Sequence, residues 1–207
     1  MYRPQDTAID DPALLRSVMS EIAFGALVTP HAGGIEITHL PWVVREEAGR
    51  TVLEAHVARA NPHWQRLGPS VAIFQGPQAY VSPSFYPSKQ EHGKVVPTWA
   101  YIAVHAHGTP EAIRDGDWLH AHITALSDRH EAGRPEPWAV SDAPVAYLAA
   151  LKRGIVGLRM TVDTLEGKWK VNQSKPAADR AGTYEGLMAS GEQGVQLAQA
   201  LASFEDE

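Results

Sequence analysis

The feature that most constrains this chain is an alternating run that begins after Pro97. Residues Thr98 to His107 read Thr-Trp-Ala-Tyr-Ile-Ala-Val-His-Ala-His. A period of two puts Ile102, Val104 and Ala106 on one face of a strand and Tyr101, Ala103, His105 and His107 on the other. Upstream, Tyr80, Val81 and Ser82 close an earlier strand. Between the two strands, Pro83, Pro87 and Gly93 are expected to keep the backbone out of regular structure for about a dozen residues. Connections beyond about 12 residues are usually functional or disordered. This one offers a ligand Tyr80, Phe85, Tyr86 and Lys89.

Antiparallel strands with tight turns are expected around that core. Residues 11 to 23 suit a helix, with Pro12 in its first turn and Leu14, Leu15, Val18, Met19 and Ile22 on one face. Phe24 to Thr29 and Ile35 to Val44 read as strands joined by the turn His31-Ala32-Gly33-Gly34, with Pro41 marking a bulge or an edge. Gly49 turns the chain into a strand from Thr51 to Val57. Ser70 to Gln75 and Gln78 to Ser82 read as a hairpin about Gly76-Pro77. Later, Asp115 or Asp117 caps a helix to about His130, and Asp142 caps a second. Gly154 to Val162 returns as a strand that should pair with an early one. Residues 176 to 204 read as helical, broken near Gly191 and Gly194, and Glu205-Asp206-Glu207 as a frayed end. The fold class is therefore mainly β with peripheral helices (α+β), a small barrel or a sandwich. One domain over residues 1–207 is expected, with helical elements near 115–151 and 176–204.

Composition narrows the function. A chain of 207 residues with 44% hydrophobic content can bury one large core. A net charge of −6 is unlike a protein that coats nucleic acid. There is no cysteine, hence no disulfide framework and no thiolate metal site. No long apolar run or signal-peptide core occurs, so the expectation is a cytoplasmic protein with no membrane partner. Walker and Rossmann glycine loops, a nucleophile elbow and His-Glu-x-x-His are absent. His105 and His107 share a strand face at a two-ligand spacing, but surface and barrel-lining roles explain the ten histidines better, and no metal is assigned.

Two stretches carry candidate binding chemistry. In residues 54–64, Arg59 is a fork-shaped donor suited to phosphate, and Asn61 before Pro62 adds a neutral donor at a forced turn. A surface arginine and a turn-forming asparagine would read the same way. In residues 166–182, Lys168, Lys170, Lys175 and Arg180 face Glu166 and Asp179. That segment is a solvated basic surface, an anion site built with Gln173 and Ser174, or a small nucleic-acid contact.

Eight segments in order resemble the PaiB family, catalogued as FMN-binding negative transcriptional regulators. They are MYRP at the start, THLPWVV at 38–44, AHVARANPHW at 55–64, FQGPQAYVSPSFY at 74–86, VPTWAY at 96–101, VHAHG at 104–108, PWAVSDAP at 137–144 and EGKWKVNQ at 166–173. The resemblance implies a flavin split barrel like that of pyridoxamine-phosphate-oxidase relatives, FMN as cofactor, and a homodimer with flavin at its interface. It implies that Thr38, His39 and Leu40 approach the ring system, that His56, Ala58, Arg59 and Asn61 approach the ribityl-phosphate tail, and that Thr98 and Trp99 flank the ring. Lys168, Lys170 and Gln173 are a second phosphate set. Two departures remove polar groups near the implied site: Ser174-Lys175 stand where the family has Asn-Arg, and Ala100 where it commonly has Asn. The function implied is a flavin-dependent oxidoreductase or flavin-sensing regulator. The alternatives are a DNA-binding repressor, for which no helix-turn-helix signature is found, and a haem-binding split barrel with a histidine as axial ligand.

Overall fold

The computed structural model describes residues 1–205, with side chains through residue 202. The elements in order are β1 (Ala8–Ile9), α1 (Pro12–Ile22), β2 (Phe24–His31), β3 (Gly34–Pro41), β4 (Val43–Glu47), β5 (Arg50–Ala58), β6 (Ser70–Val81), α2 (Ser88–His92), β7 (Thr98–Ile113), α3 (Gly116–Glu131), α4 (Val145–Arg153), β8 (Ile155–Lys170), α5 (Ala177–Met188) and α6 (Glu192–Glu205). The strands form one sheet in the order β3-β2-β6-β7-β8-β5-β4, with β1 added on β8. The ladder is open, and β3 and β4 stand at its ends. Chain contacts group into two compact units: Met1–Asp11, Gln75–Val104 and Glu166–Glu207 form the first, and Pro12–Phe74 and His105–Leu165 the second. Asp206 and Glu207, the tip of the acidic end expected to fray, lie outside the described residues.

In the second unit, two-residue turns set the register of both hairpins. His31 pairs with Gly34, and Glu47 with Arg50. Ala48 and Gly49 both hold positive φ, at 49° and 77°. A tight hairpin turn of this hand matches the right-handed twist of its strands. Leu27, Trp42, Leu53, Phe74, Leu158 and Met160 are buried, and Leu15 and Met19 of α1 join the core from positions i and i+4. Asp115 caps α3 by accepting from the backbone N–H groups of Asp117 and Trp118. Trp118 lies against β8 at Gly157, where any β-carbon would sit 2.2 Å from the indole. β8 pairs with β5 from Val52–Thr161 to Ala58–Ile155, the early partner expected for it.

In the first unit, α5 rests on the 3-10 turn Pro83–Phe85. Gly182 and Gly186, one turn apart on α5, make the notch that admits Phe85. Asp179, buried in the same helix, accepts from the backbone N–H of Ser88 at 3.1 Å and from its hydroxyl at 2.7 Å. Those hydrogen bonds hold the Asp179 carboxyl below the usual carboxylate range. Tyr86 is buried, and its phenol oxygen accepts from Asn172 Nδ2 at 3.1 Å.

Several expectations are corrected. Gly76-Pro77 is no hairpin turn, because β6 runs straight through it. Gly76 lies close to Ile102, where a β-carbon would make a tight 3.3 Å contact. Pro77 lies beyond the Val28–Val71 to Ala26–Ile73 ladder with β2, so its missing N–H breaks none of those bonds. The stretch after Ser82 is not irregular throughout: it holds a 3-10 turn and α2, which Gly93 ends at φ 65°. Its Tyr86 is buried, and half-buried Phe85 packs against Gly182 and Gly186 of α5. Asp142 does not cap α4; it accepts from Ala139 N–H at 2.9 Å and closes the turn Val140–Asp142.

Candidate functional site

The site in the second unit begins where β5 ends. Asn61 caps the 3-10 turn Pro62–Gln65, its side-chain oxygen accepting from His63 N–H at 2.9 Å, with Pro62 preset for the first position. The turn drives His63 inward to 0% exposure. His63 Nδ1 lies 2.8 Å from Thr38 Oγ1, and Nε2 lies 2.8 Å from Thr29 Oγ1. Thr29 Oγ1 is 2.6 Å from Ser70 Oγ, which donates to Gly68 O at 2.7 Å. At the other end Asn61 Nδ2 donates to Thr38 Oγ1 at 3.2 Å. Burial is the main cause that lowers the His63 pKa; nearby Glu36 opposes it and His31 adds to it. Thr38 and Asn61 stay half-buried, so the network reaches the surface through them.

Arg59 is exposed two residues before Asn61. Its Nε donates to Arg153 O at 2.6 Å and its Nη2 to Ile155 O at 3.5 Å, which ties the guanidinium to the last turn of α4. Trp64 Nε1 donates to Arg59 O at 2.9 Å, and the Arg114 guanidinium sits 4.6 Å from the Trp64 ring centre. Trp64 thus links the Arg59 backbone to the Arg114 side chain. Ala58 is exposed at the end of β5 and pairs with Ile155. His56 turns to a separate cluster: its Nδ1 is 3.1 Å from His122 Nε2, and Trp118 stacks on His122 with ring centres 5.2 Å apart. Burial lowers the pKa of His56, and lowers that of His122 to about 4 with help from His56 and Arg45.

On β3, His39 faces outward and stacks on Phe24, ring centres 6.1 Å apart, while the Leu40 side chain is in the core. Ala26, Val28 and Pro30 on β2 pair with His39, Ile37 and Ile35 on β3. This gives an outward face that is apolar apart from His39. A groove of about 470 Å³ opens there, lined in part by Val28, Pro30, Ile35, Val71 and His107.

The remaining expected residues lie in the first unit. Thr98 is half-buried; Trp99 is 49% exposed, donates to Gln78 Oε1 at 2.7 Å and lies 6.3 Å from the Tyr80 ring. Ala100 is a core residue of β7. Lys168 is not part of a solvated basic surface. It is 7% exposed, donates to Tyr2 O at 2.8 Å, and lies over the rings of Tyr2 and Tyr101 at 5.1 and 5.6 Å. The reason is β1, which pairs with β8 at Ala8–Lys168 and brings the first residues over that strand. Lys170 is half-buried on the same strand. Gln173 braces the turn after β8: its amide nitrogen donates to Asp6 O and Trp169 O, each at 2.6 Å, and its oxygen accepts from Val171 N–H.

The structure thus joins Thr38 and Asn61 directly and sets Arg59 two residues from Asn61. It adds His63 and Arg114, which the sequence reading did not select. The Asn61-Pro62 turn was the available signal for His63; Arg114 carried none.

The sequence model of a family described as "Putative FMN-binding domain" matches residues 1–164. The chain belongs to this FMN-binding family. Its cofactor is FMN. Among relatives of this family member, an uncharacterized protein of Aspergillus fumigatus is 30% identical, with 91% of each chain covered. "Protease synthase and sporulation protein PAI 2" of Bacillus subtilis is 28% identical, over 90% of this chain and 89% of that one. Two solved structures share the fold. The FAD and heme binding protein of Mycobacterium smegmatis has a TM-score of 0.59 at 17% identity, over 90% of this chain and 80% of that one. The flavocytochrome Anf3 of Azotobacter vinelandii has a TM-score of 0.61 at 12% identity, over 87% and 78%. The fold is of the flavin split-barrel type. No described helix is long and apolar enough to cross a membrane. The second unit carries an exposed guanidinium at Arg59, a half-buried neutral pair at Thr38 and Asn61, and an apolar strand face, a donor set chemically compatible with FMN.

Proposed function

We propose that this FMN-binding split barrel is a flavin-dependent redox protein that holds its cofactor in the second unit and acts as a homodimer. The observation that carries this reading is the half-buried Thr38–Asn61 pair beside the exposed Arg59, inside the segment matched by the FMN-binding family. Bound flavin supplies hydride and electron transfer. The chain's residues supply position and charge. Arg59 is the favoured phosphate ligand, because two of its five N–H donors already fix its fork on backbone carbonyls and the others are left to meet an anion. Lys168 and Gln173 are committed internally, which favours Arg59 over them. The same commitment, with the net charge of −6, gives duplex DNA binding little support. The outward apolar face of β2 and β3 supports a dimer. Haem is a second reading, favoured by the half-buried His105 and His107, whose ring centres lie 6.3 Å apart. Residues 1–207 act together as one functional domain in this role.

A visible spectrum of the purified protein separates the readings: flavin bands support the first, and a Soret band the second. Titration with FMN and riboflavin then tests the phosphate contact. A charge-assisted hydrogen bond is worth roughly 1.5–3 kcal/mol, so Arg59→Ala should weaken FMN about 10- to 100-fold and leave riboflavin nearly unchanged. Equal affinity of the unaltered protein for FMN and riboflavin would refute the phosphate assignment.

A further inference from the structure

With a neutral His63, only one arrangement of protons makes every contact of the hydroxyl chain a hydrogen bond. A carbonyl cannot donate, so the single Ser70 hydroxyl proton goes to Gly68 O. The contact between Thr29 and Ser70 then takes the Thr29 proton. Thr29 has none left for His63, so His63 Nε2 carries the ring proton and donates to Thr29. In the neutral ring Nδ1 is then a bare lone pair, and Thr38 must donate its hydroxyl proton to it. Asn61 is fixed as well. Its oxygen accepts from a backbone N–H, so the group on Thr38 is the NH₂.

At the surface end this leaves a definite pair. Thr38 Oγ1 has spent its proton and one lone pair, and offers one further lone pair. Asn61 Nδ2 has a second N–H beyond the one on Thr38. Acceptor and donor stand 3.2 Å apart.

We propose that His63 is a positioning residue that sets Thr38 as an acceptor beside Asn61 as a donor, so that the pair reads a ligand edge carrying an N–H next to a C=O, the imide edge of the flavin ring. This rests on the FMN reading above. Phosphate is excluded from Thr38, because a dianion brings only acceptors. A ribityl diol is a poorer match: each hydroxyl can donate or accept, so it gains nothing from a pair whose polarity is locked. An imide has its own polarity locked in the complementary sense. The buried chain serves as the lock. Were Thr38 free to rotate, its proton could face the ligand, and discrimination between donor and acceptor would be lost.

The probe is FMN methylated at the imide nitrogen, compared with FMN by fluorescence titration. The unaltered protein should bind 3-methyl-FMN about 10-fold more weakly, the cost of a lost hydrogen bond that leaves an acceptor unpaired. Thr38→Val, a near-isosteric change at a half-buried site, should weaken FMN and bring the two flavins to similar affinity. His63→Phe should also erode the discrimination. His63→Gln should restore it, because a Gln oxygen can accept from Thr38 while its NH₂ donates to Thr29; a purely structural role for His63 would not track the methyl group. If the protein binds FMN and 3-methyl-FMN equally, the inference is overturned and the FMN reading stands. If neither flavin binds, the FMN reading itself fails and the inference with it.

Discussion

His122 is costly to charge. It is 1% exposed, its Nε2 is taken up with His56, its ring lies under Trp118, and its Nδ1 has no hydrogen-bond partner among the described residues. Arg45 opposes a positive charge there as well. Its pKa of about 4 in the fold lies below the ordinary value of 6.5. Between those values the unfolded chain binds the extra proton, so stability rises with pH. The contribution is fully present above pH 6.5 and is lost as pH falls toward 4. From pH 7.5 to pH 5 the loss from His122 alone is about 2 kcal/mol. Ordinary carboxylates hardly titrate in that interval, so the urea midpoint should fall there for reasons of histidine chemistry. Nitrogen NMR of the imidazoles should find His122 still neutral at pH 5. A His122 signal titrating near 6.5 would contradict this account.

The contact between α5 and the turn Pro83–Phe85 is the clearest case at the scale of elements. A β-carbon at Gly186 would sit 2.3 Å from the Phe85 ring, and one at Gly182 would sit 2.1 Å from Phe85 O. Alanine gains about 1 kcal/mol over glycine in a helix, but overpacking of this kind costs about 1–3 kcal/mol or more, so both substitutions should destabilise. Gly182→Ala should cost more, because a carbonyl fixed in a turn yields less than a ring. Urea denaturation of the two variants checks the order. This notch also shows where sequence reading stops. The alternation in β7, a cap at Asp115 or Asp117 and the turn at Gly49 were legible because each is set by residues close together in the chain. Gly76-Pro77 has the local form of a turn, yet β6 continues through it from Ser70 to Val81. For the site, Arg59 and Asn61 were legible as donors at a forced turn. The role of His63 was not, because its partners Thr29, Thr38 and Ser70 are joined to it only by the fold. Lys168 looked like a surface cation because nothing in its own segment announces the first residues of the chain above it.

For the whole molecule, β3 stands at an open end of the sheet and its outward face is apolar. Ile35 and Ile37 are 65% and 56% exposed, on the hairpin that also exposes Phe24 at 57%, and contiguous apolar surface of this kind marks interaction sites. A dimer closed over this face should be broken by Ile37→Glu, with light scattering showing monomer and with flavin retention reduced. An unchanged dimer would place the interface elsewhere. The pairing of β5 with β8 has a further consequence, during synthesis. Ala58 must wait for Ile155, roughly 100 positions later, and a ribosome adding about 5–20 residues per second takes on the order of 5–20 s to deliver it. For that time Val52, Leu53, Ala55 and Val57, all buried in the finished fold, have only β4 beside them on one edge. A nascent chain stalled or truncated between α3 and β8 therefore carries a half-made sheet with a bare apolar strand. It should depend on holding chaperones in a way that the finished protein does not.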